Sequence, residues 1–412
     1  MDILYTRCAA IDVHKRTAVV TIGLVEERGQ RTKQTRTFST MLADLERLAD
    51  WLGEHQVSHV AIESTGVYWR PIFNVLEARG VVVVLANAAH VKAVPGRKTD
   101  VKDSEWLLDL MQHGLIRGSF IPPAPIRELR ELTRYRTSLI EEHTREVNRI
   151  HKLLEDMNIK LAAVATDILG VSGRAMLEAL AAGETDPQVL AGLAKRRLRR
   201  KAAELAQALA GRVQPHHRLL LRELLDHLDY LKRAIERLSA EIEQRLQPFW
   251  AAVELLCSIT GVQQRTAEVI IAELGTDLSA WPSAKHLCSW AALCPGNDES
   301  AGKRRSGRTR KGNRWLRAAL LQAAWAAIRT KGSYFGAQFR RIAKRRGEKR
   351  AAVAVAHSLL TVIYHVLTRG VFYEEAGASF FDRLEPGKVA DYHRRRLEEL
   401  GYEVRLEPKS AA

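Results

Sequence analysis

The stretch VPGRKTDVKDSEWLLDL (94–110) carries two aspartates, Asp100 and Asp103, three residues apart. On a helix that spacing puts both on one face, with about 5–6 Å between their Cβ atoms. Carboxylates that close repel each other unless a cation sits between them or one holds a proton. A divalent metal would satisfy the pair, and so would a neighbouring arginine. Two more acids fall at predicted strand ends, Asp12 in CAAIDVHK and Glu63 in VSHVAIES. Four carboxylates converging from strand ends and a helix start would hold two Mg²⁺ ions roughly 3.5–4 Å apart, a clamp suited to phosphate chemistry. Each acid alone has a plainer role. An Asp after a strand is a common turn residue, and Asp100 is a fair helix N-cap. The coincidence of all four with the right elements points to chemistry.

A second region is basic. In GNDESAGKRRSGRTRKGNRWLR (296–317) there are eight Lys/Arg and no acid from Gly302 to Arg317. Lys303, Arg304, Arg305, Arg308, Arg310 and Lys311 are candidates to hold phosphates and steady the charge of a transition state. Gly302, Gly307 and Gly312 allow the backbone a close approach. A plain solvated face is the alternative. The whole chain agrees with a polyanionic partner: 412 residues with 64 Lys+Arg against 48 Asp+Glu, a formal charge of +16. Nucleic acid is the first expectation and an anionic membrane the second. No apolar run is expected to reach the ~18 residues that span a bilayer. The N-terminus lacks a signal-peptide pattern. Four cysteines without a CxxC pair make zinc an unlikely ligand set and point to a reducing cytoplasm.

The elements that must position these groups follow from periodicity. Residues 1–120 read as βββαβαβα, compatible with an RNase H-like layer of mixed sheet and helices. VVVVLAN (81–87) has the β-branched look of a strand buried on both faces. Residues 125–250 form an all-helical arm. Leu129, Leu132, Leu139, His143, Val147, Ile150, Leu154 and Met157 make a narrow apolar seam on one long helix. Leu221, Leu224, Leu228, Leu231, Ile235, Leu238 and Ile242 make another. Such seams belong to a coiled coil, closed within the arm or against another protomer. Residues 251–370 form a helical C-terminal domain. In it CSITGVQQRTAEVIIAELG (257–275) resembles a helix–hairpin–helix turn at Gly261, which can offer N–H groups to a phosphate; a plain connector is the alternative. Residues 371–412 are a charged extension. Trp315 is expected in the core, and His14 beside Asp12.

AIDVHK, AIESTGVYW and GRKTDVKDSEWL resemble the DEDD motif of the RuvC-like domain in transposases of the insertion-sequence 110 family. The resemblance puts Asp12, Glu63, Asp100 and Asp103 on the four acidic positions and implies Mg²⁺. The stretch ESAGKRRSGRTRKGN with its following LR helix resembles the family's C-terminal domain, and puts Ser300 on the nucleophilic serine. Ser306 is the rival, but the glycines and basic residues follow Ser300 as in the family motif. A serine hydroxyl attacking a phosphodiester conserves the bond energy in a protein–DNA linkage, so rejoining needs no ATP. No activating base is supplied by spacing. One expectation is that acids and serine form a composite site from different protomers.

The family implies a DNA transposase or recombinase guided by a bridge RNA, a homo-oligomer (dimer or tetramer), and a bacterial cytoplasmic, nucleoid-associated setting. The runner-up is a metal-dependent nuclease of the RuvC or Holliday-junction type with water as nucleophile. A nucleic-acid-binding protein without catalysis explains the charge but leaves the acids idle.

Overall fold

The computed structural model describes residues 3–25, 30–64, 66–87, 103–296, 298–300, 302–384 and 386–406, in two compact units, Met1–Ile121 and Pro122–Ala412. Asp100 lies outside the described residues.

In the first unit, alternating apolar residues sort the strands into one mixed sheet. Strands β1 (Arg7–Val13), β2 (Thr17–Val25), β3 (Arg31–Ser39), β4 (His59–Glu63) and β5 (Val82–Ala86) are ordered β3-β2-β1-β4-β5. The β1–β2 and β2–β3 pairs are antiparallel; β1–β4 and β4–β5 are parallel. Helices α1 (Leu42–Glu54) and α2 (Trp69–Ala78) cover one face, where Ala9, Ile11, Val20, Ile62 and Leu85 meet Leu48, Leu52, Ile72 and Leu76. The opposite face, offset by one residue as the pleat requires, carries Cys8, Ala10, Ala61 and Ala86. Helix α3 (Asp103–Gln112) covers it with Leu107, Leu108 and Met111. Among the described residues the order βββαβαβα holds, and the mixed α/β layer fits an RNase H-like domain.

The small residues on the α3 face let the helix come close. A Cβ on Gly23 would stand 2.7 Å from Gln112 Nε2 and 2.9 Å from Leu108 Cδ2. One expectation fails here. The valine run of β5 is not buried on both faces: β5 is the edge of the sheet, and Val82 is half exposed. Only its end, Leu85–Ala86, is buried, where Ala86 bridges to Gly118. A β-branched run reports strand preference, whereas sheet position is set by topology.

In the second unit, helices α4 (Ala124–Asp156) and α9 (Pro215–Leu246) lie antiparallel. Glu128 pairs with Arg245 at one end, and Asp156 with His217 (3.0 Å) at the other. Leu139 packs with Leu231 and Ala234 between them. The pairing is within the chain, and Thr133, Arg136 and Glu146 interrupt the apolar seam as buried polar residues. Leu132, His143 and Val147 of the expected seam are only partly buried. Four short helices, α5 (Leu161–Val164), α6 (Val171–Ala182), α7 (Pro187–Gly192) and α8 (Ala202–Leu209), close a separate core around Ile150, Leu154, Met176, Leu205 and Leu225.

The rest of this unit holds α10 (Trp250–Cys257), α11 (Gln264–Leu274), α12 (Ala284–Trp290), a hairpin of β6 (Asp298–Ser300) and β7 (Lys303–Ser306), α13 (Arg314–Arg329), α14 (Tyr334–Arg346), α15 (Glu348–Arg369), α16 (Phe380–Leu384) and α17 (Pro386–Glu398). The hairpin corrects the all-helical reading. Its strands are short and charged, acidic in β6 and basic in β7, without the apolar alternation that announces a strand. The Gly261 turn, with φ +90°, is seated on α13: a Cβ there would stand 2.5 Å from the Ala323 carbonyl oxygen. Helix α15 corrects the expectation on apolar runs, because it is long and apolar enough to cross a membrane by length and composition. Its buried face, Val355, Leu359, Leu360 and Ile363, packs in this unit against α12, α13 and α14, as a core helix does.

Candidate functional site: a carboxylate edge and an anchored basic hairpin

Parallel pairing of β1 with β4 puts Ile11 opposite Ile62. The next residues along, Asp12 and Glu63, therefore stand side by side at the carboxyl ends of their strands. Both belong to the face that carries Ala10 and Ala61, the face α3 covers. The Asp12 side chain keeps a quarter of its surface exposed, and its Oδ2 lies 3.2 Å from His14 Nε2 across the β1–β2 turn. His14 thus meets Asp12 as expected.

Helix α3 runs antiparallel to β1. Its end lies beside the start of the chain, where the Gln112 carbonyl accepts from the Leu4 and Tyr5 amides at 2.8 and 3.3 Å. Its start lies over Ala10: the Ser104 hydroxyl is 2.9 Å from Thr21 Oγ1, and Thr21 pairs with Ala10. Thr21 Oγ1 is also 3.0 Å from Thr35 Oγ1, and both Thr21 and Ser104 are buried. Lys33 holds the middle of the helix through Asp109 at 2.8 Å. Asp103, the first residue of α3, is thereby brought to the same face and end of the sheet as Asp12 and Glu63. Among the described residues, no three His, Cys, Asp or Glu close to metal-binding distance. Carboxylate oxygens such as those of Asp12, Glu63 and Asp103 are of the kind a divalent cation takes.

The Thr21–Ser104 clamp was not singled out from the sequence. Its only trace is a threonine inside the apolar run TAVVTIGLV, where a hydroxyl is a cost unless it finds a partner.

The expected nucleophile, Ser300, is the last residue of β6 and pairs with Lys303 across a two-residue turn in which Gly302 has φ +72°. It sits at a strand end, not in an open loop. The side chains of Ser300, Arg304 and Arg305 lie outside the described residues. Lys303, Arg308, Arg310 and Lys311 are exposed. The Ser306 hydroxyl accepts from the Arg308 amide at 3.2 Å, a turn-forming bond. The ladder continues through a Pro295–Thr309 bridge, and the Gly296 amide donates to the Arg308 carbonyl at 2.8 Å.

What fixes the base of the hairpin is a buried carboxylate. Glu273, at the end of α11, is fully buried. Arg134 of α4 donates to it twice, Nε to Oε1 at 2.7 Å and Nη2 to Oε2 at 2.8 Å. Arg130 Nε adds a contact at 3.3 Å, and Asn313 Nδ2 donates to Oε2 at 2.6 Å. The Asn313 Oδ1 atom in turn accepts from the Trp315 and Leu316 amides, both at 3.1 Å, and caps α13. Gly312 is held just before it, since a Cβ there would stand 2.6 Å from Ala292 Cβ. The KGN motif is therefore a fixed corner between the hairpin and a capped helix. Trp315 is not core: it is half-buried, with the Arg314 guanidinium 4.4 Å from its ring centre.

Residues 9–159 match the DEDD transposase model of the IS110 type, and residues 253–340 match the model described as transposase of the IS116/IS110/IS902 family. A curated relative, the transposase for insertion sequence element IS1111A of Coxiella burnetii, is 24% identical over 304 residues, 71% of this chain and 73% of the relative. These matches define the class, a DNA transposase, an enzyme that cuts and rejoins DNA. The chain belongs to the IS110 family of transposases.

Proposed function

We propose that this transposase cuts and rejoins strands through Ser300, assisted by a Mg²⁺-dependent acidic site. The observation that supports the acidic site is the neighbouring of Asp12 and Glu63 on the sheet face whose covering helix begins at Asp103. Asp12, Glu63, Asp103 and Asp100 would hold the metal, which would supply charge stabilisation at a phosphodiester. Asp12 is oriented by His14. The Thr21–Ser104 contact keeps the start of α3 in register with the strands.

Ser300 is preferred over Ser306 because the glycines and basic residues follow it, as in the family motif. Attack by the Ser300 oxygen on phosphorus forms a phosphoserine ester and releases the strand's hydroxyl end; the reverse attack rejoins DNA. Lys303, Arg304, Arg305, Arg308, Arg310 and Lys311 hold the phosphates. The working protein is a homo-oligomer, dimer or tetramer, acting in the bacterial cytoplasm with element DNA, target DNA and a bridge RNA. The charge of +16 supports polyanionic partners.

The test is covalent trapping with element-end DNA, Mg²⁺ and RNA transcribed from the element's flanks. A denaturation-resistant protein–DNA adduct is expected in wild type and Ser306→Ala and absent in Ser300→Ala. Cleaved DNA without an adduct in any sample would assign the chemistry to metal-activated water, as in a RuvC-type nuclease.

A further inference from the structure

Between α4, α11 and α13 lies a cavity of about 480 Å³. Its wall carries Arg134, Arg136, Arg265 and Arg314, with Trp315 on one side and Glu141 at the rim. Two of the arginines are answered from behind. Arg134 is bound by Glu273, and Arg136 Nη2 donates to Glu268 Oε2 at 2.6 Å. Arg265 and Arg314 are exposed and have no carboxylate partner among the described residues.

The telling group is Arg136. Its residue is 2% exposed, yet its Nε–H has no hydrogen-bond partner. A buried cationic donor left unpaired on a residue that lines a cavity calls for an acceptor from outside the chain. Two unpaired guanidinium groups, Arg265 and Arg314, with the free Nε–H of Arg136 on the same wall, suit an anion with several oxygens. Its volume lies within the range of small-ligand sites, so there is room for a nucleotide.

We infer that this cavity is a phosphate site that takes a phosphodiester of a nucleic-acid strand, with Arg136 Nε, Arg265 and Arg314 as its donors. A carboxylate from another protein chain would match the arginine forks as well. Nucleic acid is favoured by continuity. Arg314 directly follows the corner at Asn313, so exposed Arg308, Arg310 and Lys311 lead along the chain to it. Trp315, with Arg314 at 4.4 Å and Arg134 at 5.9 Å from its ring centre, gives the cavity an aromatic wall that holds both guanidinium groups in place. The inference rests on the nucleic-acid reading above but not on the serine chemistry.

The experiment is fluorescence anisotropy of the full chain, without Mg²⁺, against a labelled mixed-sequence single strand and its duplex over a salt series. Arg265→Ala/Arg314→Ala should bind at least ~10-fold more weakly, and the slope of log K against log salt should fall by about 1.4–1.8, the value for two lost phosphate contacts. Arg136→Lys keeps a cation for Glu268 but removes the Nε donor, and should weaken binding while light scattering shows the same oligomer. If Arg136→Lys fails to fold, the double variant still decides. Wild-type affinity and slope in the double variant would overturn the inference. So would normal binding with a loss of oligomer, which would assign the cavity to a partner chain's carboxylate. Ser300→Ala serves as the separate control: it should bind normally, and its recombination activity bears on the serine mechanism alone.

Discussion

Removal of the Glu273 carboxylate tests whether the basic hairpin is anchored from within. In Glu273→Ala, Arg134 loses two bonds of 2.7 and 2.8 Å, Arg130 loses a contact, and the Asn313 amide loses its acceptor. Breaking a buried ion pair by deleting one partner typically costs about 3–5 kcal/mol. The Arg134 side chain is 29% exposed and can recruit water. Arg130 keeps its bonds to the Ala272 and Glu273 carbonyls at 3.1 and 2.6 Å. Those two facts discount the figure to about 2–4 kcal/mol. With about 2–4 °C per kcal/mol for a unit of this size, the melting temperature should fall by roughly 4–16 °C. The functional consequence should be larger than the thermal one. Asn313 fixes the corner between the hairpin and α13, so the protein–DNA adduct should be lost at temperatures where the variant is still folded. The paired measurement is thermal melting by circular dichroism beside the trapping assay well below the melting point. A variant melting within about 1 °C of wild type and forming normal adduct would refute the anchoring argument.

Other perturbations address the carboxylate edge. Thr21→Val leaves the buried Ser104 hydroxyl without its partner and should cost about 1–3 kcal/mol by chemical denaturation; Mg²⁺-dependent cleavage should fall with it, because the start of α3 loses its register. Gly23→Val forces a side chain against Leu108 and Gln112 and should cost about 1–3 kcal/mol, with hydrogen exchange rising in α3 before the sheet. The Cys8 thiol is pushed by burial from 9.0 to about 12. Above pH 9 the unfolded chain releases this proton while the folded chain keeps it, so this group's contribution is full below pH 9 and declines up to about pH 12. The slope is about 1.4 kcal/mol per pH unit, and Cys8→Ala should flatten it in denaturation curves over that window. A slope unchanged in Cys8→Ala would show that other groups carry it.

Much of this protein was legible in its residues alone. The alternation of β1 and β2, the helical spacing of α1, α2 and α3, and the long periodic runs of α4 and α9 each report a local preference, which the chain expresses wherever it folds. The positions of the acids were legible for the same reason: Asp12 and Glu63 lie at strand ends and Asp103 at a helix start that the sequence marks. Sheet order was not local. The valines of β5 favour a strand in any position, and only pairing decided that they form an edge. The clamp of Thr21 on Ser104 joins residues 83 apart in the chain. The anchor of Arg134 on Glu273 joins residues 139 apart. No periodicity encodes such pairs, because each depends on two elements meeting at one depth. Trp315 and the buried Arg136 show the same limit from the other side. An indole invites a core position and an arginine a solvated one, and the meeting of α4, α11 and α13 reversed both. The sequence by itself marked most of the elements, the β6–β7 hairpin excepted, and the residue types they carry. Which acid stands beside which, and which cation lacks a partner, was decided by packing, since burial and hydrogen bonding are properties of the assembled layers.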